Sequence, residues 1–180
     1  MEPQLTVVAT AVGLPFLAAV VTPLLRRLLG ERVGYFGAAV AGVSFALVVS
    51  QVGAQGEVAV PWIPSLGVAL RLYVDGWALT FASLASGIGV LIFVYSTGYM
   101  HDKPNLGRFY SVLLAFMGSI LGVALAGDLV LLFLFWELTS VCSFVLIGYH
   151  TEDPESRYSA RMAMVVTVGG GLCLLVAVLM

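Results

Sequence analysis

Charge is scarce in this sequence. Only 10% of its 180 residues are Asp, Glu, Lys or Arg, against 61% hydrophobic, and the mean hydropathy is +1.05. A soluble domain carries about a quarter charged residues, so a water-surrounded globular domain is excluded and an integral membrane protein is indicated. A basic stripe is also missing. Eight Lys and Arg stand against ten Asp and Glu, a net charge of -2, which leaves no electrostatic footprint for nucleic acid. Cysteine is nearly absent: Cys142 and Cys173 both lie in apolar runs without ligand spacing and read as small buried side chains. No haem or iron-sulfur pattern occurs, no nucleotide motif, and no nucleophile, histidine and acid arranged for hydrolysis. Gly87 and Gly89 fall in a hydrophobic run and cradle no phosphate. Neither a cofactor nor a metal is expected. No internal repeat or low-complexity stretch is evident. A cleavable leader is not indicated either. Glu2 precedes the first apolar run and Arg26 and Arg27 follow it, the reverse of a signal peptide, so the segment is expected to be retained.

What the chain does have is long apolar runs. Six spans are expected, at about 5–25, 34–52, 77–99, 109–126, 129–149 and 161–180, making an all-α polytopic transmembrane helix bundle. A helix of about 20 residues rises roughly 30 Å, the thickness of a hydrocarbon core. Gly13 and Pro15 mark a kink in the first span, and the Gly- and Ala-rich second span favours close helix packing. The longest link, 53–76, contains Pro61, Trp62 and Pro64. It is expected to be extracytoplasmic, with Trp62, Tyr73 and Trp77 at headgroup depth and short strands near 57–60 and 68–74. The fourth and fifth spans are joined only by Gly127 and Asp128. They must be adjacent and antiparallel, with Gly127 turning and Asp128 capping. Arg26, Arg27, Arg32, Lys103, Arg108, Arg157 and Arg161 follow the first, third and fifth spans and fall on one side, and Arg71 alone falls on the other. The positive-inside bias therefore predicts an extracytoplasmic amino terminus.

Glu137 is the one charged residue between Leu129 and Tyr149, LVLLFLFWELTSVCSFVLIGY. An acid at mid-span costs several kcal/mol unless it is paired, hydrated or protonated. A proton-binding role in a hydrated pathway is the sharp reading, and a neutral interhelical acid is the bland one. Ser140 shares its helical face, and Thr139 and Ser143 flank it more loosely. Their hydroxyls either hydrogen-bond the carboxyl, hold a water, or bond back to their own helix. No second charge lies in the interior of any expected span, and a relay needs more than one station.

Two polar clusters lie outside the spans. His101 and Asp102, followed by Lys103, Pro104 and Asn105, carry a turn signal and read either as a solvated loop or as an ion entrance. The stretch from His150 to Arg157 is expected to be a solvated connector, with Asp153-Pro154 starting a turn. Neither cluster has the spacing of a built metal site. Gly169, Gly170 and Gly171 in the sixth span suggest a helix break or a tight helix contact.

The run GDLVLLFLFWELTSVCSFVLIGY, 127–149, resembles the fifth transmembrane helix of the proton-translocating antiporter family. That family joins the large membrane subunits of respiratory complex I (chain 5 type) to the Mrp-type Na+/H+ antiporters. YSTGYMHDKP, 95–104, is similar to the family's segment after its third helix. MVVTVGGG, 164–171, favours the large A subunits of Mrp antiporters. Complex I members typically carry Asn-Arg-Val-Gly-Asp there, an arginine and an acid that this chain lacks. The resemblance implies the antiporter-like complex I/Mrp fold, of which this chain would be an amino-terminal, incomplete part. It implies that Glu137 matches the family's essential helix-five glutamate, which works with a lysine on a later helix. It implies a cell-membrane assembly with other subunits, exchanging Na+ or another monovalent cation for H+ without a cofactor, a secondary transporter rather than an enzyme. The alternatives are a redox-driven proton-pumping subunit of a complex I or hydrogenase assembly, and a noncatalytic assembly subunit.

Overall fold

The computed structural model describes residues 2–63 and 68–180. Among them the chain forms six helices, α1 (Glu2–Leu29), α2 (Val33–Val49), α3 (Gly76–Tyr99), α4 (Leu106–Leu125), α5 (Leu129–Ile147) and α6 (Pro154–Leu179). It also forms one hairpin of β1 (Gly56–Ile63) and β2 (Val68–Val74). Five uninterrupted helical stretches are long and apolar enough to cross a membrane. The first, Thr6–Val49, supplies both α1 and α2. It reverses at Gly30, whose φ of +59° is a conformation that side chains disfavour, and a short 3-10 turn, Gly30–Arg32, completes the link.

α1 to α4 form the packed core, α5 lies against α4, and α6 packs chiefly on α5. Half of α4's apolar span is buried, but only 17% of α5's and 6% of α6's, so the last two helices are the outer layer. Each helix runs antiparallel to the one before it. Gly37 sits under the Phe93 ring, Gly118 under Phe16 and Gly122 under Phe135, and a Cβ at any of the three would overlap the ring. These glycines are the physical basis of the close α2–α3, α1–α4 and α4–α5 approaches. α1 continues through Pro15 and Pro23. Pro23 has no N–H to donate to the carbonyl of Ala19, four residues back. Ser111 of α4 takes that role, donating its hydroxyl to Ala19 O.

The link between α4 and α5 is also where the hairpin docks. Asp128 caps α5, its Oδ1 accepting from Leu131 N at 2.8 Å, while its Oδ2 accepts from Arg71 N of β2 at 3.3 Å. Gly127 donates its N–H to Arg71 O at 2.7 Å. A Cβ on Gly127 would stand 3.0 Å from that oxygen, so close approach to β2 explains the glycine. In the hairpin Val60 pairs with Leu70 and Gly56 with Val74. Tyr73 and Trp77 are exposed at this end, Trp77 stacking on Phe81. The expectations for the Trp62 side chain and for Pro64 lie outside the described residues.

One expectation is corrected. Asp153-Pro154 does not begin a turn in a solvated connector. Asp153 caps α6 by accepting from Glu155 N and Ser156 N, and Pro154 occupies the first turn, where its missing N–H costs nothing. Of the two readings of the three glycines, the tight contact holds at Gly171, which packs against Glu137, and α6 is continuous from Pro154 to Leu179.

Candidate functional site

Glu137 lies near the middle of α5, about 12 Å along the axis from Leu129 and about 15 Å from Ile147. Its carboxyl faces α6, against the backbone of Gly171, where a Cβ would collide with Oε1. The side chain is partly buried, but Oε1 itself is inaccessible and has no hydrogen-bond partner among the described residues. No Lys or Arg of the described residues lies within 4.0 Å of it. A buried oxygen left without a donor costs about 1–3 kcal/mol, more if it is charged. Protonation removes the charge, and a donor supplied from another segment or subunit would satisfy the oxygen.

The neighbouring hydroxyls do not supply that donor. Ser140 is buried, one turn on and near Glu137's face, but it donates to Trp136 O at 3.2 Å. Thr139 lies two residues on, turned away from that face, and donates to the same carbonyl at 2.6 Å. Both therefore bond back to their own helix. Ser143 is partly buried and makes no side-chain hydrogen bond among the described residues. Trp136 is exposed beside Glu137, on a part of α5 that this chain does not cover.

The turn between α3 and α4 is sharp. Asp102 and Asn105 have φ of 61° and 59°, the left-handed region in which Asp and Asn are tolerated. His101 there has Nδ1 2.8 Å from Asp102 Oδ2 and Nε2 2.9 Å from Glu31 Oε2. The hydrogen bond to Asp102, that residue's charge and then the charge of Glu31 raise the imidazole above its ordinary value of 6.5. With both ring nitrogens at hydrogen-bonding distance from carboxylates, this is the geometry of an imidazolium donating twice. The three groups converge closely enough to hold a cation, but they are exposed and already satisfy one another. His101 and Asp102 lie at the helix ends, far along the bundle axis from Glu137. Tyr149, just beyond α5, donates its hydroxyl to Pro104 O and ties the same turn to the end of α5.

Two partners escaped the sequence reading. Glu31 is distant from His101 along the chain, and nothing local marks the pair. Gly171 carried a signal as one of three consecutive glycines, but which of them faces Glu137 depends on the rotation of α6.

Residues 62–110 match the profile described as NADH-ubiquinone oxidoreductase (complex I), chain 5 N-terminus, and residues 126–180 match NADH:quinone oxidoreductase/Mrp antiporter, TM. The chain belongs to this complex I/Mrp antiporter family. It is 40% identical over 171 residues to Na(+)/H(+) antiporter subunit A1 of Staphylococcus haemolyticus (strain JCSC1435). An alignment of equal identity and length relates it to the subunit A1 of Staphylococcus aureus. Each alignment covers 92% of this chain but 21% of the relative, so the chain spans about a fifth of those proteins' length. Its fold superposes on a chain of the Mrp complex from Dietzia sp. DQ12-45-1b with a TM-score of 0.84 and 36% identity, covering 94% of this chain and 19% of that one. It also superposes on a chain of the membrane-bound sulfane sulfur reductase, an archaeal respiratory membrane complex. There the TM-score is 0.79 at 19% identity, covering 94% and 36%, a likeness of fold alone. The helical bundle is therefore that of the antiporter-like subunits, and the chain is a multi-pass membrane protein.

Proposed function

We propose that this chain is part of an Mrp-type Na+/H+ antiporter of the cell membrane and that Glu137 binds the transported proton. The observation that carries this reading is a carboxyl oxygen buried at mid-helix without a donor among the described residues, in a chain 40% identical to named antiporter subunits. Glu137 would alternate between a protonated state and a charge-paired one, its partner a lysine contributed by a later helix, as the family resemblance implies. Other subunits and a monovalent cation are then its partners. His101 and Asp102 would stand at the cytoplasmic mouth. The seven basic residues at or near the α1–α2, α3–α4 and α5–α6 links support a reading with that end of the bundle inside and the amino terminus outside.

The test is Glu137→Gln in the full-length subunit within its assembly, read as Na+-dependent proton flux in vesicles. The expected result is normal assembly with flux at background. Normal assembly with full flux would overturn the proposal. Should the amide disturb assembly, Glu137→Asp retains the acid, and the proposal expects it to retain measurable flux.

A further inference from the structure

A cavity between α4, α5 and α6 at the basic end of the bundle plays no part in the antiport reading. Its volume is about 260 Å³, and three arginines line it: Arg108 from α4, and Arg157 and Arg161 from α6. The rest of the wall is largely apolar, including Phe144, Val145 and Ala160, and no carboxylate lines it. Glu152 and Asp153 line a separate cavity beside it, and Asp153 is occupied in capping α6. Among the described residues none of the three arginines has a carboxylate within 4.0 Å.

Two of the guanidinium groups are braced. Arg157 Nη1 donates to Thr151 O at 2.9 Å, and Arg161 Nε donates to Arg157 O at 3.3 Å. Each brace uses one N–H and leaves the others of that planar fork available. Three like charges gathered on one cavity repel unless an anion joins them. Guanidinium forks match phosphate oxygens bidentately. Arg108 and Arg157 stand near the amino-terminal ends of their helices, where the helix dipoles add positive potential. Phe144 and Val145 of the apolar wall belong to the membrane-spanning α5. Basic pockets between transmembrane helices near the membrane surface are where anionic headgroups bind.

We propose that this pocket binds the phosphodiester of an anionic phospholipid. The phosphate lies among Arg108, Arg157 and Arg161, and the glycerol and first acyl carbons lie against Phe144 and Val145. The lipid bridges α4 to α6, which otherwise packs chiefly on α5.

The test uses the full-length protein in its assembly, in phosphatidylcholine nanodiscs doped with a photoactivatable phosphatidylglycerol. Labelling is mapped by mass spectrometry. The expected result is labelling within 144–161 that falls roughly 25-fold in Arg157→Gln/Arg161→Gln, about fivefold per charge removed, and largely survives in Arg157→Lys/Arg161→Lys. Equal labelling by a photoactivatable phosphatidylcholine, no labelling by either lipid, or labelling unchanged in the glutamine variant would each overturn the proposal. Displacement of the lipid by millimolar inorganic phosphate would assign the site to free phosphate instead. If the glutamine variant does not assemble, the comparison of the two lipids on the unaltered protein decides.

Discussion

The contact between Glu137 and Gly171 sets that glycine apart from the two before it. A Cβ at Gly169 or Gly170 meets nothing within 4 Å, whereas one at Gly171 overlaps Glu137 Oε1. Replacing an interior helical glycine with alanine gains about 1 kcal/mol of propensity. Gly169→Ala and Gly170→Ala should therefore leave transport unchanged and stabilise slightly. At Gly171 the obstacle is the end of a flexible side chain, so the carboxyl can rotate aside at about 0.5–1.5 kcal/mol for an off-rotamer geometry. That roughly offsets the gain, and net stability should stay within about 1 kcal/mol of the unaltered protein. Function should not stay. The carboxyl now sits in a different position, and each 1.4 kcal/mol of imbalance between its two states changes their ratio about tenfold. Gly171→Ala in the full-length assembly should thus melt near the normal temperature while Na+-dependent proton flux falls about tenfold. Thermal unfolding and vesicle flux of the three variants make the comparison. Unchanged flux in Gly171→Ala, or an equal loss in all three, would refute the assignment of this contact to the proton site.

Ser111→Ala should destabilise the bundle by about 1–3 kcal/mol, because it strands the carbonyl of Ala19 that Pro23 cannot serve. Ser111→Thr should restore most of the loss, as read by thermal unfolding. His101 should titrate above 6.5, most of the elevation coming from Asp102 and less from Glu31. Because the folded value is the higher one, the link it makes between the α1–α2 and α3–α4 turns is fully present below about 6.5 and lost as pH rises through the folded value. An NMR titration of the imidazole should show the midpoint fall strongly in Asp102→Asn and less in Glu31→Gln. A midpoint at or below 6.5 in the unaltered protein would refute the clamp.

Length and hydropathy were enough for the helices, because a membrane-spanning backbone must satisfy its own hydrogen bonds. Asp128 as a cap, the strands β1 and β2, and the antiparallel α4–α5 pair could be read from local chemistry in the same way. α6 began earlier than its apolar run because Asp153 and Pro154 start a helix as well as they start a turn. Local chemistry alone does not choose between them.

The mid-span position of Glu137 is a property of the sequence, since eight uncharged neighbours on one side and ten on the other fix its depth whatever the packing. Its surroundings are not. That Ser140 and Thr139 bond back to Trp136, that Gly171 rather than Gly169 meets the carboxyl, that Glu31 reaches His101, and that three arginines share one cavity all depend on how helices rotate and dock. Rotation is set by the fit of glycines under aromatic rings across α1 to α5, which joins residues far apart in the chain, and no periodicity within a single helix encodes it.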